Sequence, residues 1–497
     1  MVRSIKNAFA PINWIPYEVL STIPDYWADE DMAGEDLITL THVCHGWREL
    51  FISCPSLWTC LDYTSVERTR LRIERSKSSP LKVYLREERY GYKPFSEDAL
   101  LLTIPHLGRL KSLSIVGSEE CFVELVNKHF NCPAPFLEKL FICFHGHPFA
   151  ITAAILDGNP SSLRELDLHG AITDLPWKNL ANLTTFDFRQ ASNDEISVTQ
   201  LLDFFEHARL LRNIQLLGAF PTTSNAPLGR VVSLPSLKKL RIIDEPAHSI
   251  LLNHLLIPSG ALLVLEFDFD SEESPITAYL PGDLKNINNL SSITSINLCY
   301  KPRVALRLDG PSGGLHVLGT WTGAATPPPI VHHLVLRSLN RFCISATERF
   351  AVAAYSTPLS LLAGHFPPYQ TLLLMNALRT LVLIDGHNVP FIAALNPCRI
   401  PSGTLVCPKL KDLVLYIKKP EWFCIRELLE MAKERSSRGA RLSTIKIFSP
   451  QELVPAKEVL KLRDHVSCVK YRLDDVVPVL DEIPNDVKGP RCECGWW

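Results

Sequence analysis

The sequence predicts an α/β fold: three short N-terminal helices, then a curved solenoid of parallel strands with helices and loops on its outer side. Three observations carry that expectation. A six-residue apolar pattern, L-x-x-L-x-L with other apolar residues substituting, recurs thirteen times from Leu110 onward. Helix-like segments separate the copies. Ahead of them, residues 14–62 place their apolar side chains at helical rather than strand spacing.

The copies begin "LKSLSI" (Leu110), "LEKLFI" (Leu137), "LRELDL" (Leu163), "LTTFDF" (Leu183), "LRNIQL" (Leu211), "LKKLRI" (Leu237), "LLVLEF" (Leu262) and "ITSINL" (Ile293). They continue as "VHHLVL" (Val331), "LRTLVL" (Leu378), "LKDLVL" (Leu410), "LSTIKI" (Leu442) and "VSCVKY" (Val466). Up to Ile293 their spacing is 20 to 31 residues, the period of leucine-rich repeats. The last two apolar positions alternate along a short strand, so both face the same side, and their neighbours face the other. One unit cannot bury that face alone; stacked neighbours can.

Between the copies, "SVTQLLDFFEHARL" predicts a helix with Ser197 as N-cap and Val198, Leu201, Leu202 and Phe205 on one face. "EWFCIRELLEMAKERSS" predicts another, with Ile425, Leu428, Leu429 and Ala432 aligned. Between Leu306 and Pro408 the spacing widens to as much as 47 residues, and "DGPSGG", "ATPPPI", "HFPPYQ" and "NPCRIPSG" read as loop insertions.

With 497 residues, 46% hydrophobic and 21% charged, the chain has the composition of a folded protein with more than one unit or a repeat array. A net charge of -2 offers no broad attraction for nucleic acid or anionic membrane. The fourteen cysteines are scattered, and "MVRSIKNAFAPINW" lacks an apolar signal core. Reduced thiols and a cytoplasmic or nuclear location are expected. No run of apolar residues is long enough to span a membrane.

At the N-terminus, "IPYEVLSTI" carries Ile15, Val19, Leu20 and Ile23 at helical spacing, with Pro16 in the tolerant first turn. Asp36 can cap a second helix bearing Leu37, Leu40, Val43, Cys44 and Trp47. Gly46 interrupts it, and "WRELFIS" forms a third segment that Pro55 stops. So short a unit cannot bury a large core, and part of its apolar surface is expected to meet a partner.

"IPYEVL" followed by "DLITLTHVCHGWRELFISCPSLWTCLD" resembles an F-box, whose pattern is Leu-Pro-x-Glu, then Asp-Leu, Val-Cys, Trp-Arg and Pro-x-Leu-Trp. "VERTRLRIERSKSSPLKVYL" resembles the segment that follows it in the large F-box family of mushroom-forming fungi. With the repeats, the chain resembles F-box proteins carrying leucine-rich repeats. The resemblance implies a non-catalytic substrate receptor that takes no cofactor. Its F-box docks on the Skp-type adaptor, and through it a cullin scaffold, while the repeats hold a protein substrate. The implied adaptor-facing residues are Ile15, Pro16, Val19, Leu20, Leu37, Leu40, Val43, Cys44 and Trp47, with Trp47 the best single anchor. The implied layout is an arm (1–12), the F-box (13–62), a linker helix (63–80), repeats (81–475) and a tail (476–497). Two features depart from the family pattern: Pro24 replaces a large apolar residue, and the link "PDYWADEDMAGE" is long and acidic.

Outward positions beside the repeat cores are the candidate substrate contacts: Glu165, Asp167, His169, Asp187, Arg189, Lys239 and Arg241, with Gln215, Lys411 and Tyr416. Their mixed charge suits a protein rather than a polyanion. For chemistry, Cys143 and His145 in "CFHGH" and the pair in "CEC" (Cys492–Cys494) offer soft ligands, but no second cluster completes a metal site, so structural or solvated roles are expected. "EFDFDSEES" reads as a solvated strand end, and the run Arg68, Arg70, Arg72, Arg75 and Lys77 as a solvated helix face. No metalloprotease, phosphate-loop, dinucleotide or nucleophile-elbow motif occurs. Three readings stay open: the ligase adaptor, a repeat scaffold that no longer binds the ligase, and an enzyme forming a ubiquitin thioester on Cys143.

Overall fold

The structure is a computed structural model. It describes residues 11–20, 35–61, 63, 65–86, 96–117, 120–130, 134–144, 149–150, 161–172, 180–189, 197–218, 229–243, 248–269, 279–300, 303–321, 335–354, 368–385, 388–400, 403–418, 423–450 and 455–473. The fold is α/β. The chain divides into two compact units, Met1–Ile196 with Asp203–Leu211, and Ser197–Leu202 with Arg212–Trp497.

The first unit opens with helices α1 (Tyr17–Leu20), α2 (Glu35–Thr41), α3 (His45–Ser53) and α4 (Val66–Ser76). Asp36 lies just inside α2 rather than capping it, and the break between α2 and α3 falls at residues 42–44, ahead of Gly46. Pro55 follows the end of α3, as its missing N–H requires. The strands are β1 (Cys60–Leu61), β2 (Leu81–Arg86), β3 (Leu110–Gly117), β4 (Lys139–Phe144), β5 (Phe149–Ala150), β6 (Glu165–His169), β7 (Ala171–Ile172) and β8 (Thr185–Arg189). β1, β2, β3, β4, β6 and β8 pair in that order, all parallel; β5 and β7 form a separate short pair.

Register turns the motif into a core. Leu113, Leu140, Leu166 and Phe186 lie side by side, as do Ile115, Ile142, Leu168 and Phe188, and all are buried. The motif's first residue sits one turn ahead of the strand. In Leu137, Leu183, Leu211, Leu237, Leu378 and Leu410 its N–H donates to the carbonyl three residues back, at 3.1 to 3.2 Å. That turn points the leucine under the strand, where it is buried in each case.

The second unit contains β9 (Asn213–Leu217), β10 (Val232–Ser233), β11 (Lys239–Ile243), β12 (Leu255–Leu256), β13 (Leu262–Phe269), β14 (Ser295–Tyr300) and β15 (Arg303–Asp309). It continues with β16 (Gly314–Trp321), β17 (Arg349–Ala354), β18 (Thr380–Asp385), β19 (Asp412–Tyr416), β20 (Thr444–Ser449) and β21 (Cys468–Leu473). The main sheet runs β9, β11, β13, β16, β15, β14, β17, β18, β19, β20, β21, with only β15 antiparallel to its neighbours. β10 and β12 pair apart from it.

Helix α5 (Val198–His207) contains the point where the two units divide. Ser197 caps it as expected: its hydroxyl accepts from the Gln200 N–H (3.2 Å), and the Gln200 side chain accepts from the Ser197 N–H (3.0 Å). The stripe Val198, Leu201, Leu202 and Phe205 is buried.

Three sequence expectations need correction. "VHHLVL" does not form a strand: of its described residues, Val335 and Leu336 begin a helical turn at 335–338. The sheet position beside β14 belongs instead to β17, "RFAVAA". That strand lacks the motif's leading leucine. Thr347 stands there, fully buried, its hydroxyl donating to the Ile293 carbonyl at 3.1 Å. The segment read as insertion also opens with structure: β15 and β16 form a hairpin placed within the sheet between β13 and β14. "DGPSGG" is its turn. A Cβ at Gly314 would run into the Leu308 carbonyl, so glycine is required there. Finally, the copy at Leu262 is framed two residues late. Leu240 pairs with Leu263 and Ile242 with Leu265, and a slip of two preserves which side chains face in.

Among the described residues, no helix is long and apolar enough to cross a membrane.

Candidate functional site

The N-terminal helices pack on a small apolar centre of Leu20, Phe51, Leu57 and Trp58. Trp58 Nε1 donates to the Phe51 carbonyl at 2.8 Å, and the Arg75 guanidinium lies 4.2 Å above its ring. Arg72 is buried on the same helix and donates to the Cys60 carbonyl. The basic run is therefore only partly solvated: Arg75 holds α4 to this centre and Arg72 holds it to β1.

The candidate adaptor-facing residues separate by depth. Leu20 is buried and belongs to the centre itself; Ile15, Leu40 and Trp47 pack partly against it. Trp47 meets Phe51 edge-on, centroids 5.5 Å apart. Cys44 is half-buried, while Pro16, Val19 and Val43 are exposed. Leu37 lies on the α2 backbone, its side chain outside the described residues. Val19 (53%) and Val43 (54%) are exposed, and so are Ile12 (45%) and Trp14 (69%), two residues outside the predicted helical stripes.

On the outward face of the first sheet, register assembles a charged cluster. Asp167 pairs with Asp187, and His169 with Arg189 and with Cys143. The Arg189 guanidinium donates to both oxygens of Asp187, at 3.2 and 3.1 Å. His169 Nε2 lies 2.6 Å from Asp167 Oδ1 and 3.9 Å from Asp187 Oδ1, and its ring stands edge-on to Phe141 at 5.3 Å. Burial pushes the Asp187 carboxyl above the usual range and the Asp167 charge adds to it; Arg189 and His169 oppose the shift. Glu165 is half-buried and pairs with Lys139 at 2.8 Å. His169 and Asp187 are thus buried members of a network rather than solvated contacts.

In the second unit, Arg241 is also buried. It grips both Glu266 oxygens (2.8 and 3.0 Å) and donates to Gln215 (3.1 Å), so Glu266 is a strand-crossing partner rather than a solvated strand end. Lys239 is half-buried, Lys411 is exposed, and Tyr416 stacks on Phe448 at 4.6 Å. His145, His147, His332, His333, Cys492 and Cys494 lie outside the described residues.

Cys143 is fully buried, and burial pushes its thiol up to about 12, with the Asp167 charge adding to the shift. Cys407 is buried and raised to about 12 for the same first reason. Neither is the low-pKa, accessible thiol that thioester chemistry needs. Native-state alkylation at neutral pH is expected to label exposed Cys343 and Cys398 while sparing Cys143 and Cys407 until the chain is unfolded. Peptide mass spectrometry checks this, and rapid native labelling of Cys143 would contradict its burial.

No family model matches this chain, and no curated protein matches it.

Proposed function

We propose that this chain is a substrate-recognition adaptor of a Skp–cullin–F-box ubiquitin ligase. The F-box at 13–62 docks on the Skp-type adaptor, and a leucine-rich-repeat solenoid from 81 to 475 holds a protein substrate. The observation that carries the reading is the exposure of Ile12, Trp14, Val19 and Val43 in the N-terminal segment, whose helices pack on their own small centre. Exposed apolar side chains on and between short helices suit a partner that offers an apolar groove. In-order parallel strands support the substrate-holding half: β6 and β8 present Asp167, His169, Asp187 and Arg189 outward, while β17 and β18 present the apolar Ala351, Ala353, Val382 and Ile384. The chain itself supplies proximity, not a nucleophile.

The alternative is a leucine-rich-repeat scaffold that no longer binds the ligase. The burial of Leu20 favours it, because that side chain is spent on the chain's own core.

Calorimetric titration of the full chain with purified Skp-type adaptor separates the two. The expected Kd is micromolar or tighter, weakened about 10-fold or more by Val19→Asp or Val43→Asp, roughly 1.4 kcal/mol or more. Both sites are exposed, so folding should survive. No binding by a natively folded chain would leave the scaffold reading.

A further inference from the structure

We propose that Asp167, His169 and Asp187 bind a divalent transition-metal ion, with zinc the best fit. One ligand atom from each lies within 4.8 Å of the other two. Adjacent parallel strands β6 and β8 supply all three, so the backbone holds the ligands rigidly.

Two details point to an ion rather than to a simple salt bridge. The His169 side chain is only 7% exposed, and its Nε2 makes no hydrogen bond. Asp167 Oδ1 is equally buried and without a hydrogen bond, although the two atoms are 2.6 Å apart. At that distance the pair is in ion-pair contact but lacks the alignment of an N–H···O hydrogen bond, a geometry that two ligands turned toward a common centre also give.

Charge supports the same reading. Two neighbouring carboxylates repel, and Arg189 engages only Asp187 among them. A dication between them meets both. The donor set of one imidazole and two carboxylates suits zinc, manganese or iron(II), whereas calcium takes six to eight oxygens. Zinc bonds of about 2.0–2.2 Å at tetrahedral angles place ligand atoms roughly 3.3–3.5 Å apart. The present separations from His169, 2.6 and 3.9 Å, straddle that value, so side-chain shifts of less than about 1 Å complete the site. Three protein ligands leave a further position for water or for a donor atom of a bound protein.

The test uses the full chain, stripped with chelator and reloaded with zinc. Because the chain holds fourteen cysteines, the readout is a difference between variants. Wild type is expected to retain one equivalent more zinc after gel filtration than His169→Gln or Asp187→Asn. Cobalt substitution should give a ligand-field band in wild type that both variants lack. Equal retention and equal spectra in natively folded variants would overturn the proposal, as would no zinc retained by wild type. If either variant fails to fold, Asp167→Asn carries the test, since its side chain is the most exposed of the three (27%). A zinc affinity lowered about 10-fold or more supports the site; unchanged affinity refutes it.

Discussion

Replacing Arg435 with alanine lowers the stability of the second unit by about 3–5 kcal/mol. Helix α6 (Ile425–Ser437) buries Leu428, Met431, Ala432 and Arg435, the i, i+3, i+4, i+7 face of an amphipathic helix with a charge at its end. The Arg435 side chain is wholly buried. It donates to the carbonyls of Val406 (2.7 Å) and Cys407 (2.9 Å). Those carbonyls precede the turn that leads into β19, where Cys407 takes a left-handed backbone (φ 47°) and its thiol donates to the Leu372 carbonyl at 3.2 Å. Left-handed geometry is costly for a residue with a Cβ, so the surrounding bonds must hold it. Alanine removes the donors, leaves two buried acceptors unsatisfied and empties a large volume. Arg435→Met keeps much of the packing and also removes a buried charge, so it should cost clearly less. Urea unfolding read by hydrogen exchange in β19 measures both. A loss under about 0.5 kcal/mol for the alanine variant would show that the clamp contributes little.

Trp58→Ala is expected to cost a similar amount, about 3–5 kcal/mol, and to loosen the N-terminal helices first. Its ring is the largest fully buried side chain of the chain's described residues, and it contacts two further elements by polar means: the Phe51 carbonyl on α3 and the Arg75 guanidinium on α4. Trp58→Phe keeps most of the apolar area but loses the hydrogen bond and part of the cation–π attraction, so about 1–2 kcal/mol is expected. Limited proteolysis and hydrogen exchange of α3 follow the effect locally. If α3 amides exchange equally in Trp58→Ala and wild type, the helices do not depend on this centre. Because α3 is in turn tied to α2 by the Arg48 side chain donating to the Thr41 carbonyl (3.0 Å), the exposed Val43 between them should lose its fixed position in the alanine variant.

How far each feature could be read from sequence depended on whether its cause was local. The strands were legible because alternation and a leucine three residues ahead are both properties of six consecutive residues. β17 escaped because a hydrogen-bonded threonine replaces that leucine. "VHHLVL" misled because a short apolar run satisfies strand and helix periods alike. β15 and β16 do alternate, with Leu306 opposite Val317 and Leu308 opposite Leu315, but their place within the sheet depends on strands remote in the chain. The charged cluster left a readable trace: Asp167 and Asp187 occupy the same motif position in successive copies, so aligning "LRELDLH" with "LTTFDFR" places them together.

By itself, the sequence determined the α/β class, most of the strands and the capped helix α5, since each follows from the period and chemistry of adjacent residues. Tertiary structure alone decided which apolar residues of the N-terminal helices are core and which are surface. A helical stripe specifies one face but not how much of it neighbours will cover, so Leu20 is buried while Val19 beside it faces water. It also decided that Asp167, His169 and Asp187 converge in a buried setting. Strand register sets the distances between side chains, and packing sets the dielectric in which they meet.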